Sequence, residues 1–468
     1  MGMSFSERLE LLKQRLTKSS IADQLVGCLE LEYFAAEAMQ SNEPTVAGEA
    51  LFFTGFLRGE LGDRSGAIKA YEQALDVGFK RAGLYYNLGN CHRELQQPKQ
   101  ALDYYLKSLE LEPGRGDVLA NMAFVYEDLG ELANAEECFR LGSQLLSDHP
   151  DAVCNLSYSL LRRAAYQEGW SLYELRHKTV PHAMLAPTWQ PGVAIQGKKV
   201  LTVVEQGYGD VLMFAGLLPE LAQDAKEVAL VCDERLEKLL QRSLPMVSIN
   251  SNFIPSTLDH WDARMSLGSL GFLYRNCQPK DFKPIEPYLV PDPTAVQHCQ
   301  QQLAALGKTY KVGIAWQGGD NARNQKRRTI PLKQLQLLFD IANVTWINLQ
   351  HHYDPKEVEE FEQETGHQLH TPIDATNDLD ALAAMVACLD HVVTVQQTLV
   401  HFAGALNVKA EVLTPLVPEW RYGTTGNRMP WWQSVRLHRQ QDLTSWEAPI
   451  QAAKQAVAMA ILNKDGQR

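Results

Sequence analysis

What the chain lacks narrows its possible functions first. No apolar run in its 468 residues reaches the length of a bilayer span. Its first twenty residues are polar and helix-like with no apolar centre, so neither a membrane segment nor a secretory leader is expected. The start MGMSFS fits the myristoylation spelling through Gly2 and Ser6, a pattern too short to decide anything. Excess positive charge is also missing. Lys and Arg number 44 against 56 Asp and Glu, a net charge of −12, so no overall field favours nucleic acid. The eight cysteines are scattered without a Cys-x-x-Cys pair, which fits a reducing cytoplasm better than a disulfide framework or a zinc site. No G-x-S-x-G, H-E-x-x-H or EF-hand spelling occurs. Residues 192–198 spell G-x-x-x-x-G-K, but Lys199 stands where Ser or Thr would hold magnesium, and the run precedes a strand instead of following one.

What remains has an ordinary globular balance, 45% hydrophobic and 21% charged, and a length suited to two to four domains. Residues 4–41 read as two helices. From about residue 48 a repeat sets in. Gly55, Gly89, Ala123 and Ser157 are spaced by 34 residues, as are Ala67, Ala101, Ala135 and Gly169, and Tyr71, Tyr105, Phe139 and Tyr173. Small residues thus fall where two helices cross closely, and large rings fall where they pack. A helix pair repeated every 34 residues is the tetratricopeptide signature, and residues 48–180 resemble that family with four units. Such a solenoid offers a concave binding face.

Residues 181–197 are rich in Pro and Gly and read as a linker. Strands and helices then alternate in two halves, 198–293 and 294–468, the pattern of α/β domains with a cleft between them. The first half opens with VLTVV, EQGYGD and an apolar helix. Strand, glycine turn and helix are the opening of a nucleotide-type unit, with Gly207 and Gly209 in the turn and Asp210 in the first helical turn. Asp210 is either a cap or a catalytic base. In the second half the strand 311–316 is followed by the loop 317–329, whose Arg323, Lys326, Arg327 and Arg328 suit a diphosphate or, alternatively, form a solvated basic loop. Thr398 is placed to cap the helix 399–406 so that its N-terminal amides face the cleft, with His401 one turn inside. The Asp378-x-Asp380 pair opens a helix, where capping accounts for it better than a metal does.

Four ordered stretches, EQGYGDVLMFAGLLP, GIAWQGGDNARNQKRRTIPL, HVVTVQQTLVHFAGAL and VPEWRYGTTGNRMPWWQSVRLHRQ, resemble bacterial tetratricopeptide-repeat glycosyltransferases. Their catalytic part is similar to lipopolysaccharide heptosyltransferases and, more distantly, to O-linked GlcNAc transferase. The likeness spans about 185–460. It implies a repeat solenoid followed by two facing Rossmann-like domains, the GT-B arrangement. It also implies metal-independent, usually inverting transfer from a nucleotide sugar, with no further cofactor. By this resemblance Asp210 is the base, and Arg328 with Lys326 and Arg327 neutralises the leaving diphosphate. Gln350 lies where the family holds the nucleotide, and Thr398 and His401 sit on the helix facing the phosphates, His401 as a second catalytic candidate. One departure stands out: the family's Asp-Thr before that helix is Gln396-Gln397 here.

The expectation is therefore a helical cap (1–47), a solenoid (48–180), a linker and a two-domain transferase. It would move a sugar from a nucleotide-sugar donor to a protein or glycan acceptor presented by the repeats, as a monomer or homodimer. The competing expectation is a binding scaffold that keeps the transferase fold without turnover.

Overall fold

The computed structural model describes residues 3–147, 149–179, 188–252, 259–319 and 322–465. The chain forms two compact units, 1–156 and 157–468.

The first unit is helical. Phe5–Thr17 begins with a capping box, in which Ser4 accepts from the Glu7 amide and Glu7 accepts from Ser4. Ile21–Gln40 follows. Three antiparallel pairs come next: Pro44–Glu60 with Arg64–Asp76, Ala82–Glu94 with Pro98–Leu111, and Gly116–Asp128 with Leu132–Leu145. The repeat has a direct steric cause. A Cβ added at Gly55 would sit 2.5 Å from the Tyr71 ring, and one at Gly89 would sit 2.4 Å from the Tyr105 ring. The turn between paired helices has a 34-residue period too. Gly62, Gln96, Gly130 and Ala164 all take left-handed φ values, +84°, +61°, +79° and +64°. The last of these lies in the second unit, so the repeat geometry continues there. A Cβ at Gly62 meets nothing within 4 Å. Gly62→Ala is thus expected to cost about 1 kcal/mol from backbone conformation alone. Gly55→Ala, overpacked against a ring, is expected to cost about 1–3 kcal/mol. Urea unfolding of the two variants would check the order.

The second unit opens with the end of Pro150–Arg162 and with Tyr166–Tyr173, which the sequence assigns to the solenoid. The helix Tyr166–Tyr173 belongs to the α/β core. Trp170 is fully buried, and a Cβ at Gly271 would lie 2.5 Å from its ring. Arg176, just beyond, is buried with Glu174 and Glu205, 3.0 and 2.9 Å away.

Two parallel sheets follow. The first contains β1 (Lys199–Val203), β2 (Glu227–Val231), β3 (Ser248–Asn250) and β4 (Ala263–Ser266), in the order β3-β2-β1-β4. The second contains β5 (Tyr310–Ala315), β6 (Val344–Asn348), β7 (Leu369–His370), β8 (His391–Val395), β9 (Ala410–Thr414) and β10 (Val435–Arg439), in the order β10-β9-β8-β5-β6-β7. The central strands β5, β8 and β9 are buried throughout, mostly apolar but with Lys311, His391 and Glu411 among their buried residues. The strand order reverses at β1 and again at β5, and open α/β sheets bind ligands outside the carboxyl ends of strands at such switch points.

Several elements differ from the sequence reading. β4, β7 and β10 are short strands that the sequence pattern does not single out. The helix after β1 breaks into Tyr208–Ala215 and Leu218–Asp224, with Pro219 in the first turn of the second piece. The basic stretch is a short helix, Ala322–Arg328, instead of a loop. No helix among the described residues is long and apolar enough to cross a membrane, and all eight cysteines are free.

Candidate active site

The turn after β1 is braced from beneath. Glu205 accepts from the Gly268 amide and from Arg176, and Gln206 donates to the Tyr173 hydroxyl. Gly207 is the N-cap of Tyr208–Ala215, and no side chain caps that end. Gly209 lies against the helix Thr398–Ala405 of the second sheet. A Cβ there would stand 3.1 Å from His401 Cδ2 and 3.6 Å from the Thr398 Cα, so only glycine lets these helices cross so closely without displacing His401. Asp210 follows in the first helical turn, where the helix dipole favours a carboxylate.

Asp210 is not alone. Its carboxylate forms an ion pair with Arg421, in the segment after β9, and both side chains keep only a small exposed area. Glu419 lies 3.7 Å from Arg421 and 3.6 Å from Arg328. Arg328 in turn reaches the Gln396 carbonyl, 3.5 Å away. An alternating row of charges, Asp210, Arg421, Glu419 and Arg328, therefore runs from the first α/β half into the second at the carboxyl ends of the strands. Gly318 lets the β5 loop approach β8, since a Cβ there would sit 2.6 Å from the Gln396 carbonyl oxygen. Lys326 is exposed and Arg327 is half-buried on the same short helix as Arg328.

Several expected ligand contacts are engaged within the fold. Gln350 is buried: its Oε1 accepts from the Trp316 and Gln317 amides at 2.9 and 2.8 Å, and its Nε2 donates to the His351 carbonyl at 2.7 Å. It fixes the loops after β5 and β6. Gln396 is fully buried, with Oε1 accepting the Glu419 amide at 3.1 Å, while its Nε2 has no partner among the described residues. This side-chain amide thus holds the Glu419 backbone. Thr398 is not the cap expected from sequence. Gln397 occupies the N-cap and makes no capping bond, because its Nε2 turns to Thr394 at 3.3 Å. The first amides of Thr398–Ala405 are consequently left without a side-chain cap. Asp378 caps its helix through the Ala381 amide, and Asp380 pairs with Arg242.

His401, the second catalytic candidate of the sequence, is packed inside the fold. It is buried, and its Nδ1 accepts a hydrogen bond from Trp432 Nε1 at 3.2 Å, which places the imidazole proton on Nε2. Burial, helped by the nearby Arg421 charge, pushes its pKa down from 6.5 to about 3. Burial thus favours the neutral ring in the folded chain. The sign follows from linkage. The unfolded chain takes up a proton below 6.5 that the folded ring refuses until about 3. Stability therefore falls as pH drops through that window, by up to about 1.4 kcal/mol per pH unit. Glu411 adds to this acid lability. It is buried between His391 at 3.0 Å and His438 at 2.6 Å. Its pKa is about 2 against an ordinary 4.5: burial raises it, and the two histidine hydrogen bonds overcome that. Its contribution is present above 4.5 and is lost as pH falls toward 2. His401→Gln is expected to flatten the pH dependence of unfolding between pH 6 and 4, measured by urea titration at each pH.

The sequence reading did not single out Arg421 or Glu419, although EWRY lies within a motif it noted. Nor did it select His351, which is hydrogen-bonded to Gln397 and held below 6.5 chiefly by burial.

Comparison with known proteins agrees with the repeats. Residues 82–115 and 116–145 match the tetratricopeptide repeat family. Protein FlbA of Caulobacter vibrioides is 27% identical over 419 residues, covering 83% of this chain and 69% of that protein. Tetratricopeptide repeat protein 8 of Caenorhabditis elegans is 29% identical over 109 residues, 23% of this chain and 22% of that one. Among solved structures, a glycosyl transferase family 9 protein from Veillonella parvula aligns with 57% of this chain and 98% of its own, at 11% identity and a TM-score of 0.43. The chain thus carries tetratricopeptide repeats followed by parallel-sheet α/β regions.

Proposed function

We propose that the protein is a glycosyltransferase of GT-B type, using a nucleotide-sugar donor and no metal. The observation that carries this reading is Asp210, from the end of β1, facing Arg421 and the Arg328-linked Glu419, from the ends of β5 and β9. A carboxylate on one side and guanidinia on the other are what an inverting transfer requires. The acceptor hydroxyl loses its proton to the carboxylate as it attacks. Charge growing on the leaving diphosphate is met by Arg328, by Lys326 and Arg327 beside it, and by the uncapped amides at Thr398. His401 and Gln350 serve in this reading by holding helix and loop in place. The repeats supply the surface for a protein or glycan acceptor and raise its effective concentration at the cleft. Free cysteines and a nucleotide-sugar donor both fit a cytoplasmic reaction.

A second reading, a scaffold without turnover, draws on Gln396: a buried neutral amide stands where the family places a carboxylate. Screening the full chain for thermal shifts with a panel of nucleotide sugars, then assaying nucleoside diphosphate release, decides between them. A specific shift with release supports the transferase. A shift without release from any sugar supports the scaffold.

A further inference from the structure

We propose that Arg421 is a donor-sensitive latch on the candidate base. Asp210 competes with a diphosphate for Arg421, Glu419 competes with it for Arg421 and Arg328, and binding of the diphosphate releases Asp210 to take a proton. This rests on the transferase reading for the identity of the anion.

The exchange is built from contacts already present. Arg421 pairs with Asp210 and stands 3.7 Å from Glu419, which also stands 3.6 Å from Arg328. Two cations, one from the short helix after β5 and one from the segment after β9, thus engage two carboxylates, an arrangement that a more highly charged anion can enter. Each guanidinium can turn two N–H groups toward a diphosphate, and phosphate oxygens satisfy that geometry as well as a carboxylate does. The backbone need not move. Arg421 lies over the Trp420 ring, 4.5 Å from its centroid, an apolar platform on which a guanidinium can slide. The loop beyond it is pinned by Arg439, which donates to the carbonyls of Gly426, Gly423, Tyr422 and Thr425 at 2.7–3.1 Å. Only side chains have to change partners.

The functional consequence is order. While Arg421 holds Asp210, the carboxylate is engaged by the guanidinium and is not presented to an acceptor hydroxyl. Once the donor's diphosphate draws Arg421 away, the base is released beside the reacting centre. The base is then active only with donor in place.

The test uses the full chain and inorganic pyrophosphate, titrated by calorimetry. Wild type is expected to bind it, and Asp210→Asn and Glu419→Gln are each expected to bind about tenfold tighter, because a competing carboxylate is gone. Arg421→Gln is expected to bind about tenfold weaker, and Asp210→Asn should add nothing in that background. A merely structural Asp210 would loosen the site when replaced, the opposite sign. Denaturation midpoints confirm that each variant folds, and Glu419→Gln carries the test if Asp210→Asn does not. If pyrophosphate binds in an Arg328-dependent way but neither carboxylate variant tightens it, the latch is overturned and the transferase site stands. If pyrophosphate binds to neither wild type nor the carboxylate variants, the latch and the diphosphate site fall together.

Discussion

Asp210→Asn is expected to lower turnover by about 10²–10⁴-fold, the usual worth of a positioned general base, while leaving donor affinity equal or higher. Asparagine keeps the size of the side chain at the helix N-terminus but cannot take up the acceptor's proton. The complementary change, Arg328→Ala, is expected to act on the other constant. Arg328 stands beside the Gln396 carbonyl and Glu419, and it would meet the phosphates in the ground state, so its loss weakens donor binding before it slows chemistry. Single-turnover rates and calorimetric affinities, measured with the sugar nucleotide that gives the largest thermal shift, separate the two effects. Unchanged turnover in Asp210→Asn would remove Asp210 as the base. Unchanged affinity in Arg328→Ala would remove Arg328 from the phosphate site.

The second large effect concerns the helix that the 34-residue period assigns to the solenoid. Trp170→Ala is expected to cost about 3–5 kcal/mol in the α/β unit, the range for deleting a buried aromatic. Its ring is fully buried, edge-on to Tyr173 at 5.2 Å, Trp420 at 5.5 Å and Trp431 at 6.2 Å. Arg176→Met is expected to cost a similar amount, because it removes the guanidinium paired with Glu174 and Glu205, both almost wholly buried. Glu205 also receives the Gly268 amide at the end of β1, so the damage reaches the turn that carries Asp210. Expression from residue 150 should therefore give a cooperatively folded α/β unit, whereas expression from residue 185 should not. Urea unfolding followed by circular dichroism would show it. Equal midpoints for the two lengths would make the helix a dispensable appendage. The same comparison reinterprets any loss of activity in a chain begun at 185, since lost folding would imitate lost acceptor binding.

Which features could be read without coordinates follows from the range of the forces involved. The repeats were legible because each contact joins residues about sixteen apart and recurs at a fixed period: Gly55 under Tyr71, Gly89 under Tyr105. The central strands were legible because burial on both faces demands continuous apolar runs, as in β5 and β8. Asp210 and Arg328 could be nominated because glycine turns and basic residues after strands have a local spelling. Beyond that, tertiary structure decided. β7 has two residues, too few to show a pattern, and the alternating burial of β10 was hidden behind a Pro-Trp-Trp turn. The surroundings of His401 are set by Gly209 and Trp432, which approach it from other segments. Gln396 looked like a lost ligand contact until its amide was found holding the Glu419 backbone. The partner of Asp210 is 211 residues away in the chain, and no periodicity or local charge pattern records such a pair. Sequence alone thus determines the tetratricopeptide repeats and the parallel-sheet α/β regions, and it nominates Asp210 and Arg328. Only folding brought Arg421 to Asp210, because an ion pair has no signature until both ends share one place.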